Sequence, residues 1–288
     1  MTAAIVLAAV AGAGWALNIV IVRWGLDRTG ASPTVGAFVG VSVAAAVAAV
    51  VAVLAGHSLP AWDDVWRFAL VGAIAPGSSQ GLFVAAIGRI GPSRTSVLVG
   101  TSPAWSVVLA VAFLDETWEL AIVAGTRVTI AGSALIGWEP GLRGRRLGVV
   151  LALATALSFG VRDVVAREFG SSSSVSSWWA GAIVLVAAAA VLGVQSRVTA
   201  GRDLLGECRR ALPAFAVSGL VIGCALPLLL EALDRGRVGI VAPLSLASQN
   251  ITVVVVGSIV FGVNERAGRV VGAVALILLG AVLVGSAA

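Results

Sequence analysis

Residues 84–116 read VAAIGRIGPSRTSVLVGTSPAWSVVLAVAFLDE, and residues 230–265 read LEALDRGRVGIVAPLSLASQNITVVVVGSIVFGVNE. The two stretches share one plan. An apolar helix ends in Ala with Ile or Leu, and a short turn then carries arginine (Arg89 and Arg94; Arg235 and Arg237). An apolar helix follows, broken by proline (Pro103; Pro243), dotted with Ser, Thr, Gln or Asn, and closed by an acidic turn at Glu116 or Glu265. The offset between the stretches is 146 residues at Arg89 and Arg235, and 149 at Glu116 and Glu265. Self-similarity on that scale reads as one half of the chain being a diverged copy of the other.

Composition says where such a chain lives. Hydrophobic residues make up 59% and charged residues 11%, with a mean hydropathy of +1.05. Soluble domains carry about a quarter charged residues, so this is an integral membrane protein. Apolar runs lie at 2–24, 34–56, 65–88, 92–114, 119–138, 147–169, 175–195, 211–233, 238–261 and 267–286. Each is close to the ~20 residues that cross ~30 Å of hydrocarbon as a helix. The expected fold is all-α, with ten transmembrane helices forming two inverted five-helix repeats around a central cavity. The repeats are expected over 1–138 and 147–288, with a basic linker at 139–146 (EPGLRGRR). The first run has no basic n-region and is read as a retained helix rather than a signal peptide.

All nineteen basic residues are arginine, a bias that points to a prokaryote with a GC-rich genome. In a membrane protein this charge belongs to loops facing cytoplasm and anionic lipid, not to nucleic acid. Thirteen arginines fall in odd-numbered loops and four in even-numbered ones. That asymmetry places the odd loops in the cytoplasm and both termini outside. Five helices per half then invert the second copy relative to the first. Cys208 in a loop and Cys224 in mid-span are not expected to form a disulfide.

Polar groups inside the apolar runs are the candidate chemistry. Trp15 and Asn18 share a face of the first span, either as a helix contact or as a cavity lining. The third span holds Pro76, Ser78, Ser79 and Gln80. Its Gly77-Ser-Ser-Gln-Gly81 fits the G-x-S-x-G nucleophile elbow, which has meaning only on a strand-turn-helix with a His and an acid nearby. Thr101, Ser102 and Pro103 interrupt the fourth span beside Trp105. Arg127 in the fifth span costs about 3 kcal/mol at depth, so it should snorkel, pair or face water. Arg162 and Asp163 lie inside the sixth span, where an offset of 144 matches Asn18 to Arg162. Asp163 either pairs Arg167 at i, i+4 or serves as a proton carrier, and Arg162 then wants an acceptor. Glu231 likewise either pairs Arg235 or binds a proton near the mouth of a cavity. In the ninth span Ser245, Ser248, Gln249 and Thr252 follow i, i+3, i+4, i+7, forming one polar stripe that lipid cannot satisfy. Gly36/Gly40, Gly219/Gly223 and Gly268/Gly272 read as faces for close helix packing.

With these residues in view, the chain resembles the drug/metabolite transporter superfamily, specifically ten-helix permeases built of two EamA-type repeats. The residues that carry the resemblance are GRIGPSRTSVLVGTSPAWSVVLAVAFLDETW, DRGRVGIVAPLSLASQNITVVVVGSIVFGVNER and RRLGVVLALATALSFGV. The resemblance implies alternating access around a cavity lined mainly by spans three, four, eight and nine. Carried over by position, it favours Gln80, Thr101, Ser102, Trp105, Ser248, Gln249 and Thr252. Two features depart from the family pattern: Pro243 stands earlier than the place matching Pro103, and Arg127 is unusual for a fifth helix.

The expectation is a secondary transporter in the cell membrane that exports a small metabolite, amino acid or drug-like compound. Its partners would be that small molecule, the lipid bilayer and a coupling proton on Glu231 or Asp163, and the protein would work as monomer or homodimer. Candidate substrate contacts are Trp15, Asn18, Gln80, Thr101, Ser102, Trp105, Arg162, Ser245, Ser248, Gln249 and Thr252. No cofactor or metal is expected, and a chain without lysine has no Walker motif. The alternatives are a non-transporting scaffold or partner subunit, a channel, and an intramembrane enzyme, the last disfavoured by a single histidine, His57.

Overall fold

The computed structural model describes residues 1–90, 92–137, 146–261 and 267–286. Most of the linker, Glu265 and the surroundings of Gly268 lie outside the described residues. The hydrocarbon offers no partner for backbone N–H and C=O groups, so apolar segments bond within themselves as helices. The helices are α1 (Thr2–Thr29), α2 (Pro33–Leu54), α3 (Trp62–Gly72), α4 (Ser79–Ile90), α5 (Pro92–Val99), α6 (Ser102–Phe113) and α7 (Leu120–Gly137). They continue as α8 (Arg146–Ser171), α9 (Ser177–Ala200), α10 (Leu204–Arg235), α11 (Val238–Phe261) and α12 (Ala267–Gly285). Seven helical stretches are long and apolar enough to span a membrane, and Val97–Phe113, Leu120–Leu135 and Gly272–Val284 are shorter apolar helices. Together they follow the ten apolar runs in order.

Helix ends obey local chemistry. Pro33 opens α2, where its missing N–H costs nothing. Gly30, at φ 61, closes α1 with its N–H on the Leu26 carbonyl. Ser176 caps α9 by accepting the Trp179 N–H at 3.3 Å. The third span is not one continuous helix: a π-helical stretch, Ala73–Ser78, joins α3 to α4, and Ala75 within it is extended at φ −150. Pro76 cannot donate to a helical ladder, and the chain breaks there rather than only loosening. The fourth span also divides, α5 meeting α6 at Thr101 just before Pro103.

The described core is built largely of alanine and valine with a few large side chains such as Phe68, Phe215 and Leu226, while Val6, Val53, Val186 and Ile259 face outward. Small residues let backbones approach closely, the principal source of helix adhesion in lipid. The α2–α10 crossing shows this. A Cβ on Gly36 would run into the Phe215 ring, and one on Gly219 would stand 2.7 Å from the Gly40 carbonyl oxygen. Gly223 meets Ala44 and Val47 in the same way, so two of the three glycine pairs named from sequence interlock at one crossing.

Counting α3 with α4 as the third span and α5 with α6 as the fourth, α1 packs on α10 and α11, and α8 packs on the third and fourth spans. Likewise α2 packs on α10 and the third span on α9, and α2–α9, α7–α12 and α6–α11 are further contacts between halves. Shifting each span by five carries this set of pairings into itself.

Candidate functional site

The bundle has two distinct ends. At one end the N-terminus, the 114–119 turn and the 236–237 turn come together: Gly236 abuts Ala4, and Arg237 donates to Glu119 and to the Thr117 carbonyl and hydroxyl oxygens. Glu116 accepts the backbone N–H groups of Val238 at 2.6 Å and Gly239 at 3.0 Å, so an acidic side chain sits on the positive N-terminus of α11. At the other end Glu207 accepts the N–H and hydroxyl of Ser32, and Thr34 meets Thr199 at 2.8 Å.

Burial along α11 changes between these ends. Residues 238–243 are all buried, whereas Ser248 through Val254 are all half-buried. Residues 80–85 of α4 are half-buried in the same way, and so are Thr101, Ser102 and Trp105. These residues sit near mid-helix or toward the end that carries Ser32 and Glu207.

Near mid-depth, α8 brings an ion pair into the bundle. Arg162 is 8% and Asp163 6% exposed. Both Nε and Nη2 of Arg162 donate to Asp163 Oδ1, at 3.0 and 2.8 Å. Ser106 of α6 donates to Asp163 Oδ2 at 2.9 Å, with the Ser102 carbonyl 3.2 Å away as a second acceptor. The Phe159 ring lies 5.1 Å from the guanidinium carbon, within cation–π range. Gly160 permits the close approach of the helices, since a Cβ there would stand 2.7 Å from the Trp105 Cβ. Asp163 therefore does not pair with Arg167 at i, i+4. Arg162 curls back onto its neighbour and provides that charge first, while Arg167 reaches the Asp234 carbonyl oxygen, with the Asp234 carboxylate 3.7 Å away.

The remaining candidates divide into occupied and open groups. Asn18 accepts from Ser218 of α10 at 2.5 Å, and Trp15 packs against the main apolar core. Ser248 donates to the Ala9 carbonyl at 2.6 Å, and the Ser245 backbone lies against Gly12, so both serines hold α11 to α1. Asn250 donates to Ser133 of α7 at 2.7 Å. Thr101 donates back to Leu98 at 2.6 Å. Gln80, Gln249 and Thr252 are half-buried, with no hydrogen bond to their side chains among the described residues. α11 packs on α6 and touches α8.

Glu231 accepts from Ser177 and pairs with Arg235, so the i, i+4 pairing holds. It also lines a cavity of about 230 Å³ with Ser173, Ser177 and Asp234. Ser79 of the G-x-S-x-G match is buried, its hydroxyl 3.4 Å from the Pro76 carbonyl oxygen, on helix rather than on a strand-turn-helix. Arg127 is exposed on α7. Sequence reasoning missed Ser106 and Ser218. Ser106 had a readable signal, standing four residues after Ser102 on the same helical face; Ser218 is a lone serine whose partner lies 200 residues away.

Comparison with known proteins adds three findings. The EamA-like transporter family matches residues 2–138. A protein of Streptantibioticus cattleyicolor named a probable terminal-alkyne amino-acid exporter is 28% identical over 186 residues, which span 60% of this chain and 62% of that relative. A solved crystal structure is similar over 98% of this chain and 96% of its own, with a TM-score of 0.78 and 20% identity, a likeness of fold alone.

Proposed function

We propose that this chain, a multi-pass membrane transporter whose residues 2–138 belong to the EamA-like transporter family, exports a small amphipathic metabolite, amino acids included, by alternating access. Two five-helix repeats, 1–138 and 147–288, joined by the 139–146 linker, enclose the transport chamber. The observation that carries this reading is the burial gradient of α11, fully buried at 238–243 and half-buried over 248–254. A chamber closed at one end and open at the other leaves that pattern on the helix that walls it. The closed end is the one that Glu116, Glu119 and Arg237 tie together, and the arginine distribution puts it outside the cell. The chamber then opens to the cytoplasm, where an exporter loads, and the membrane is the cell membrane. The name of the S. cattleyicolor relative supports both the direction and the substrate class.

Drive comes from an ion or substrate gradient, with a proton on Glu231 or Asp163 as the candidate coupling ion. Gln80, Thr101, Ser102, Trp105, Gln249 and Thr252 supply the wall. Counterflow in proteoliposomes tests the proposal. Saturable exchange of at least one compound from a panel of amino acids, amines and nucleosides is expected, and Gln249→Leu with Thr252→Val should lower it at least tenfold. Non-saturating flux would indicate a channel. An absence of flux for the whole panel would leave the scaffold reading.

A further inference from the structure

The ion pair on α8 leaves part of a buried cation unused. A guanidinium carries five N–H donors in a fixed fork. In Arg162, Nε and one N–H of Nη2 both go to Asp163 Oδ1. Nη1 and the outer N–H of Nη2 meet no acceptor among the described residues, although the residue is 8% exposed. Buried donors are normally satisfied. The Nη1–Nη2 edge is the one that grips a carboxylate through two parallel bonds.

The halves themselves show that packing does not require this charge. The position matched to Arg162 by the 144-residue offset is Asn18, which meets Ser218 in a neutral hydrogen bond of 2.5 Å. At one of the two matched positions α1 thus meets α10 through an amide and a hydroxyl, while at the other α8 meets α6 through a desolvated cation and anion.

Resting on the transporter reading above, we infer that the free Nη1–Nη2 edge of Arg162 binds the carboxylate of the transported molecule, which makes the substrate class carboxylate-bearing amphipathic metabolites. Asp163 is a positioning residue that holds the adjoining Nε–Nη2 edge of the guanidinium. Ser106 positions Asp163 from α6, and the Phe159 ring fixes the guanidinium plane. The half-buried Trp105, next to Gly160, offers an apolar surface for the substrate's side chain.

The test uses full-length protein in proteoliposomes with L-norvaline, L-propargylglycine and the carboxamide of each. Wild type should move at least one acid at least tenfold faster than its carboxamide. Arg162→Gln should bring the acid down to the carboxamide rate, Arg162→Lys should fall between, and Ser106→Ala should lower the acid-to-carboxamide ratio a few fold. A purely structural role for Ser106 would depress both compounds alike and leave the ratio unmoved, which would remove Ser106 from the proposal. If wild type carries carboxamides or simple amines as well as the acids, the carboxylate inference is overturned while the transporter reading stands. If no amino acid, amine or nucleoside is moved, both are overturned. Should Arg162→Gln fail to fold, the wild-type ratio alone decides.

Discussion

The carboxylate of Glu116 accepts the backbone N–H of Gly239 at 3.0 Å, so a side chain that ends the fourth span caps a helix of the opposite half. A Cβ on Gly239 would stand 3.1 Å from Glu116 Oε2, so a side chain there would make the carboxylate shift by a few tenths of an ångström. Glu116→Ala strands two donors at the start of α11 and should cost about 1–2 kcal/mol. Glu116→Gln keeps an acceptor but loses the charge, and should cost about half as much. Thermal unfolding in detergent checks the order wild type, Gln, Ala.

Removing one member of the α8 pair is worse than removing both. Asp163→Ala leaves Arg162 as an uncompensated buried cation and should destabilise by about 3–5 kcal/mol. The double change Arg162→Met with Asp163→Leu should recover most of that loss while abolishing transport. Melting temperature and counterflow, measured on the same preparations, separate the two effects.

At the α2–α10 crossing, Gly36 and Gly219 should respond differently to rescue. Either glycine changed to alanine should cost about 1–3 kcal/mol through overpacking. Gly36 faces the Phe215 side chain, so Phe215→Leu should restore part of the loss. Gly219 faces the Gly40 carbonyl, which cannot be trimmed, and the same second change should not help. Retention of a monodisperse peak after graded heating reads both.

Cys208 and Cys224 are the only cysteines and report topology without engineering. Burial, then the neighbouring Glu207 charge, raise the Cys208 thiol above its ordinary value. Its thiolate fraction is therefore low at neutral pH, and maleimide labelling should be slow at pH 7 and accelerate toward pH 9. A membrane-impermeant maleimide should modify Cys208 only after cells are opened, because Cys208 lies on the end that the arginine distribution assigns to the cytoplasm. Cys224 is exposed on the outer face of mid-α10 and should resist charged reagents throughout. Labelling of Cys208 in intact cells would reverse the orientation and, with it, the direction of export.

The sequence made the helices readable because lipid allows the backbone no alternative, and ten apolar runs became helices in the same order. Gly36, Gly40, Gly219 and Gly223 were readable as packing faces because close approach needs a missing side chain. The Glu231–Arg235 pair was readable from helical spacing. The Arg162–Asp163 pair was not, since adjacent residues point about 100° apart and only a side chain that curls back can join them. The ninth-span stripe was legible as polarity alone: that Ser248 would serve a carbonyl of α1 while Gln249 stayed open depends on which neighbour each residue faces. Ser218 and Ser106 became meaningful only once α10 and α6 were placed beside α1 and α8.

The pairing of spans across the halves bears on how such a chain is made. α1 finds its partners in α10 and α11, α2 in α9 and α10, and α7 in α12. When the ribosome has delivered only the first five segments, the surfaces they will bury have no complement yet, and glycine-lined grooves stand open to lipid. Assembly must wait for the later segments to enter. Two fragments cut in the 139–146 linker and produced together should therefore find each other, while either fragment alone should be cleared by membrane proteolysis.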